Sequence, residues 1–323
     1  MYEGLYCLVK GQSAKHSILC FEPYPNIFVS PFLVNKVKVI MSSKILLSAV
    51  AALAAVTSAS AADLGKGKKA PPAPVVSPWE WTVGGGLTTN YLFRGISQSD
   101  GKPSINANAE VRYNFNDTYV GYLGTAGSSV KIARFVESPS LEWDAMGGLR
   151  ATYGAFGIDV GAAGYIYPSF TKSASVLPTS TTWWEGYIKT TFAVNDALTL
   201  GVNAFATPSY IHTGAKGQYI AGTAAYKLGD VTLSGELGRQ FLGKADATHL
   251  STNYADYTYW NVGAGYTYKI ATVDLRYHST SLNKTKCADI TGPTNVSGGT
   301  LSSYCGNTVV GTLSFALTSK DVK

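Results

Sequence analysis

The chain is short of charge, of histidine, of cysteine and of long apolar runs. Only 14% of its 323 residues are charged, against roughly 25% in ordinary soluble domains. A net charge of +6 does not amount to a nucleic-acid surface. Lys66, Lys68 and Lys69 sit in a short Pro-rich stretch, and Lys10, Lys15, Lys36 and Lys38 fall near the amino terminus. No apolar run approaches the roughly 20 residues that a membrane-crossing helix needs. Of the four cysteines, Cys7 and Cys20 are far upstream of Cys287 and Cys305. Two cysteines without nearby histidines make half a zinc site, so no metal and no cofactor are expected. The glycine clusters Gly84 to Gly86 and Gly121, Gly124, Gly127 lack the Lys-Ser/Thr and following helix of a phosphate loop.

What is present begins with an export signal. In residues 41–61, Lys44 supplies positive charge, Ile45 to Val56 form a short apolar run, and Ala59-Ser60-Ala61 is a small-residue cleavage pattern. The signal starts at an internal methionine, which assigns residues 1–40 to an upstream extension from a mis-set start. Residues 62–78, with Pro71, Pro72, Pro74 and Pro78, read as a periplasmic tether. Export reaches an oxidising compartment, where Cys287 and Cys305 are expected to pair. A loop of that length gains about 3 kcal/mol in the chain-entropy model.

From residue 79 to 323 side-chain polarity alternates with a period of two, the signature of strands. In the opening hairpin Trp79, Trp81, Val83, Leu87, Tyr91 and Phe93 share one face, opposite Glu80, Thr82, Thr88, Asn90 and Arg94. On the second arm Ile105, Ala107, Ala109, Val111, Tyr113 and Phe115 oppose Ser104, Asn106, Asn108, Glu110, Arg112 and Asn114. The same dyad recurs through about twelve strands of roughly 10 residues. Short turns such as Asn116-Asp117, Asn195-Asp196 and Gly229-Asp230 alternate with long polar connections, the longest spanning residues 279–307. A soluble sandwich has no reason for that alternation. An all-β, transmembrane, antiparallel up-and-down barrel of about 12 strands does, with short periplasmic turns and long external loops.

The segment Asn90-Tyr91-Leu92-Phe93-Arg94-Gly95-Ile96-Ser97-Gln98-Ser99, followed by Pro103, resembles the opening hairpin of the TorF family of proteobacterial porins. The resemblance implies a Gram-negative outer-membrane porin-like barrel. The chain departs from many outer-membrane barrels in ending Ser319-Lys320-Asp321-Val322-Lys323, which leaves Phe315 to supply the terminal aromatic signal internally.

On the polar faces Arg94, Glu110, Arg112, Glu142, Asp144, Arg150, Asp159, Glu185, Lys189, Glu236, Asp274 and Arg276 are expected to line the lumen. Two roles are open to them: pairing that plugs the barrel, or an electrostatic filter. Arg94 is read as a loop anchor or a constriction. Eight strands leave room for side chains only and sixteen an aqueous channel, so about twelve imply a narrow or largely filled lumen. The function expected is transport: passive diffusion of small hydrophilic solutes or ions, with outer-membrane lipid as the surrounding partner and no enzyme activity. The alternatives are an outer-membrane lipid hydrolase built around His278-Ser279, with His212 and His249 in loops, and a non-conducting barrel with surface-binding loops. Nothing in the sequence specifies an oligomeric state.

These readings meet in one measurement, the intact mass of protein from the envelope. It should begin at Ala62, and thiol alkylation should leave it unchanged until a reductant is added.

Overall fold

A computed structural model describes residues 77–132, 139–168, 182–247, 251–292 and 301–322. The upstream extension, the signal peptide and all but the end of the tether lie outside the described residues. The chain runs through β1 (Trp79–Thr88), a miniature hairpin of β2 (Leu92–Phe93) and β3 (Ile96–Ser97), then β4 (Ser104–Asn114), β5 (Tyr119–Ser129), β6 (Leu141–Tyr153) and β7 (Phe156–Ile166). It continues with β8 (Trp183–Ala193), β9 (Leu198–Thr207), β10 (Gly217–Leu228), β11 (Val231–Leu242), β12 (Tyr257–Tyr268), β13 (Ala271–Thr280), the helix α1 (Lys284–Thr291) and β14 (Thr308–Thr318).

Twelve of these strands, all but β2 and β3, form one closed antiparallel barrel. Neighbours in sequence pair with each other, and β1 closes the ring by pairing with both β4 and β14. Closure leaves no strand edge with unpaired backbone groups, the condition for a sheet in hydrocarbon. The register sets the solvent. Val83 lies beside Ala109 on one flank and Leu317 on the other, so outward positions meet outward positions all round the ring. Val111, Leu149, Val160, Ile188, Val262 and Leu275 are exposed on that wall, and Leu123 is 74% exposed. Aromatic side chains border the band: Trp79, Phe115, Tyr153, Phe192 and Tyr268 toward the short turns, Trp143, Trp184 and Phe241 toward the long connections. This is the belt-and-girdle construction of a transmembrane barrel.

Two sequence expectations need correcting. The first arm ends at Thr88, so Tyr91 and Phe93 do not continue the outward face; the chain leaves the wall and folds inward as β2 and β3. The connection in residues 279–307 also holds α1, too short to show a helical period. Asn283 caps it by accepting from the Lys286 N–H (2.8 Å), and it buries Cys287 and Ile290. Cys287 is bonded to Cys305, with Cα atoms 5.9 Å apart, as the sequence led us to expect.

Leu123 is the fifth of eleven residues in β5, near the middle of the apolar band. Leu123→Arg should weaken folding into phosphatidylcholine vesicles by about 2–4 kcal/mol, read from denaturant titration of the heat-modifiable band.

Candidate functional site

The interior divides into an outer half filled by the inward-folded segment and an inner half crossed by ion pairs. Segment 89–103 leaves the wall where the Thr89 N–H donates to the Gly311 carbonyl (2.9 Å). Its shape is held locally: the Ser97 and Ser99 hydroxyls donate to Asn90 Oδ1 (2.7 and 3.1 Å). Arg94 and Gly95 form the tip in the left-handed region, with φ of 47° and 80°. Gly95 is also spatially required, since a Cβ there would lie 2.4 Å from the Thr280 methyl and 2.6 Å from the Tyr259 ring.

The tip delivers Arg94 to a buried partner. Its two terminal nitrogens donate to the two oxygens of Glu185 at 2.9 and 2.8 Å, and Nη1 also reaches Gln240 Oε1 at 2.9 Å. Gln240 is oriented by donating its amide to the Gln218 and Phe241 carbonyls (3.1 and 3.2 Å). The guanidinium carbon lies 4.7, 4.8 and 4.5 Å from the ring centres of Phe93, Phe205 and Tyr219, within cation–π range. A buried fork-to-fork pair of this kind is geometrically specific. Removing one partner leaves the other charge unpaired at a cost of about 3–5 kcal/mol. Arg94 is therefore a loop anchor in this conformation, one of the two roles left open for it.

Around the anchor the outer half is packed with aromatic side chains. Tyr165 stacks on Trp183 (4.5 Å), and Phe93 and Tyr210 meet Trp183 edge-on at 6.0 and 5.2 Å. Cys287, Ile290 and Cys305 join the same cluster. Glu142 lies beneath it, accepting from the hydroxyls of Tyr91 and Tyr167, with Asp144 two residues along the strand. The cavity left between these groups is only about 40 Å³, room for a few waters.

The inner half is polar. Glu110 takes both oxygens to Arg150 (2.8 Å each) and also binds Arg112. Arg150 reaches Asp159 at 3.2 Å, and Asp159 accepts from Tyr122 at 2.7 Å. On the opposite wall Arg276 pairs with Asp274 (3.0 Å) and donates to Asn261 (2.7 Å) and Ser234 (2.8 Å). Glu236 accepts from Tyr219. Lys189 has no carboxylate at ion-pair distance among the described residues, and its Nζ lies 4.2 Å from the Tyr187 ring centre. All twelve residues singled out in the sequence project inward. Arg94 and Glu185 form the outer anchor, Glu142 and Asp144 a carboxylate pair, Glu110, Arg112, Arg150 and Asp159 one inner network and Asp274 and Arg276 another, while Glu236 stands with Tyr219 and Lys189 over the Tyr187 ring. The residues sequence reasoning missed are the inward tyrosines and Gln240. The tyrosine rings fit because glycines face them; a Cβ at Gly161 or Gly238 would lie 2.6 or 2.3 Å from the Tyr187 or Tyr219 hydroxyl.

His278 bonds to the Tyr259 hydroxyl (2.8 Å), while the Ser279 hydroxyl donates to Asn307 (2.7 Å). The adjacent pair is thus not a nucleophile and its base. Among the described residues no cluster of three or more His, Cys, Asp or Glu is placed to hold a metal.

A family model described as "Bacterial protein of unknown function (Gcw_chp)" matches residues 72–300. The chain belongs to this family. No protein of curated function matches the Gcw_chp chain, and its family description carries no activity and no porin name. Among solved structures it is similar to the deltaS2S3 mutant of TodX, a monoaromatic hydrocarbon channel, at 9% identity and a TM-score of 0.41, covering 76% of this chain and 90% of that one. It is also similar to the outer-membrane protein OmpT of Vibrio cholerae, at 12% identity and a TM-score of 0.38 over 74% and 97% of the two chains. For the toluene transporter TbuX of Ralstonia pickettii the values are 10%, 0.38, 76% and 89%. At such identity and overlap these likenesses say nothing of cargo, and the barrel assignment rests on the strand register.

External contacts hold the inward segment at its far end. The Ser97 N–H donates to the Tyr304 carbonyl (2.9 Å) and the Lys131 N–H to the Gln98 carbonyl (2.8 Å). Asp100 binds the Tyr304 hydroxyl, with Lys102 at 3.0 Å and Lys131 at 3.3 Å. Partial burial disfavours its charge, but the hydrogen bonds from Tyr304 and the two lysines outweigh it and hold the Asp100 pKa below the usual value. Burial, followed by the hydrogen bond to Asp100, raises the Tyr304 phenol. A depressed carboxylate stabilises above its unfolded pKa and loses that contribution as pH falls through the folded one. Protease cleavage in residues 97–103 should therefore rise only below about pH 4, the ordinary carboxylate range, and Asp100→Asn should show the faster cleavage already at neutral pH.

Proposed function

We propose that this barrel is an exported bacterial outer-membrane channel of the porin-like kind, a reading that agrees with the TorF resemblance of its opening hairpin. In this reading it admits small hydrophilic solutes or ions, and segment 89–103 closes its outer half. One observation carries the proposal: a wall apolar outside and charged inside encloses a lumen whose obstruction is held by polar contacts centred on Arg94, Glu185 and Gln240. A filling needed only for stability has no use for a buried arginine, because apolar residues of similar volume serve as well or better. A polar cavity of about 490 Å³ beside Asn90, Asp100 and Asn307 would be the external vestibule. Of the twelve lumen residues seven are carboxylates and five are cations, which favours cations in transit.

The second reading is a non-conducting barrel that displays its loops. It draws on the aromatic fill of the outer half and on the Cys287–Cys305 bond that holds the last external connection together.

Single-channel recording separates the two. Purified protein in a planar bilayer should show brief, cation-preferring openings. Arg94→Ala should lengthen them strongly, because losing one partner of the buried pair costs about 3–5 kcal/mol in the closed form, and Arg112→Ala should increase the cation preference. The double variant Arg94→Met with Glu185→Leu should return toward brief openings. A silent bilayer with both wild type and Arg94→Ala removes the channel reading in favour of the second.

A further inference from the structure

On the outer wall between β7 and β11 the apolar band is dented. The outward positions there are small: Gly186 lies in register with Ala162 on one side and Ala206 on the other, and Ala204 stands between Ile188 and Ile220. The result is an outward-facing depression of about 620 Å³ with walls almost entirely apolar, bordered by Val160, Ile188, Ile220 and Phe241. A Cβ at Gly186 would meet nothing within 4 Å. In a wall that faces hydrocarbon, such a groove fills with methylene groups, since water gains no hydrogen bonds there.

The groove slants from mid-wall on β7 and β8 to the long-connection end of β10 and β11, where it meets positive charge. Arg239 faces outward in register with Ile220 and Thr258. It donates to the Thr258 hydroxyl at 3.1 Å, and its guanidinium carbon is 5.9 Å from the ring centre of Phe241. Lys216 is exposed just before Gln218, another residue of the groove. Neither Lys216 nor Arg239 has a carboxylate at ion-pair distance among the described residues. The other arginines of the barrel strands, Arg112, Arg150 and Arg276, all point into the lumen. A cation on the lipid face is costly at the midplane and cheap near the interface, where phosphates lie.

We infer that this groove binds one acyl chain of a phosphorylated glycolipid of the outer leaflet, of the lipid A type, with its phosphate on Arg239 and Lys216. The inference rests on the outer-membrane placement proposed above. The long connections face outside in that placement, which puts the basic end of the groove at outer-leaflet headgroup level.

The test is native mass spectrometry of the full chain in mild detergent, titrated with bis-phosphorylated lipid A and with phosphatidylcholine. Lipid A should stay bound where phosphatidylcholine does not. Arg239→Ala with Lys216→Ala should weaken it about tenfold, the loss of a charged hydrogen bond. Gly186→Leu, whose Cβ has open space and whose branch projects into the groove, should displace it with both charges intact. Heat-modifiable mobility reports whether each variant is folded. Equal retention of lipid A by wild type and both folded variants overturns the proposal. So does a Gly186→Leu variant that keeps lipid A but converts an oligomer to a monomer, because the occupant is then a second copy of the chain. Density-gradient fractionation separates the two readings. Absence from the outer membrane overturns the placement and with it the lipid source, whereas presence there without a lipid A preference overturns the groove alone.

Discussion

Backbone hydrogen bonding in a medium without water is the constraint on which the rest of this molecule depends. A sheet in hydrocarbon must pair every N–H and C=O within itself, so β1 has to find β14. Once that ring is closed, the two faces of each strand have separate fates. Outward side chains across the hydrocarbon band must be apolar, and inward ones are shut in a lumen too narrow to hydrate them fully. The strand dyad, the alternation of short and long connections and the aromatic borders follow from these two demands.

The inner demand explains the chemistry. Charges in a narrow lumen are stabilised by pairing, and several of the pairs here join different parts of the chain: Glu110 with Arg150, Arg150 with Asp159, and Arg94 with Glu185. Tyrosines complete the network because a phenol spans the lumen with an apolar ring and ends in a donor, as Tyr91 and Tyr167 do at Glu142. The Arg94 pair differs from the others in joining a connection to the wall instead of one wall strand to another. Its rupture would free the tip of segment 89–103 from the wall and leave the twelve-strand ring whole, which makes a stable barrel compatible with a movable tip.

Legibility in the sequence followed the same division. Most strands from β4 onward could be read because they carry the dyad, as β9 does with Leu198, Leu200 and Val202 outside and Thr199 and Asn203 inside. The first arm was misread beyond Thr88 because Tyr91 and Phe93 keep the alternation after the chain has left the wall; a two-residue period marks extended backbone, not which surface it faces. Helix α1 escaped notice because eight residues carry too little periodic pattern. Tyr122, Tyr187 and Tyr219 fall on the polar side of their own strands, which is the sequence signal for their inward direction.

The sequence by itself determined the strand period, the approximate strand number, the pairing of Cys287 with Cys305 and the inward direction of the twelve charged residues placed on the polar strand faces. Each of these depends on local spacing or on composition. Only the tertiary structure decided that segment 89–103 turns into the lumen and that Arg94 meets Glu185 and Gln240, residues separated from it by 91 and 146 positions. It also decided that small residues on neighbouring strands combine into one groove. Those outcomes depend on register and ring closure, which set distances between residues that no local pattern relates.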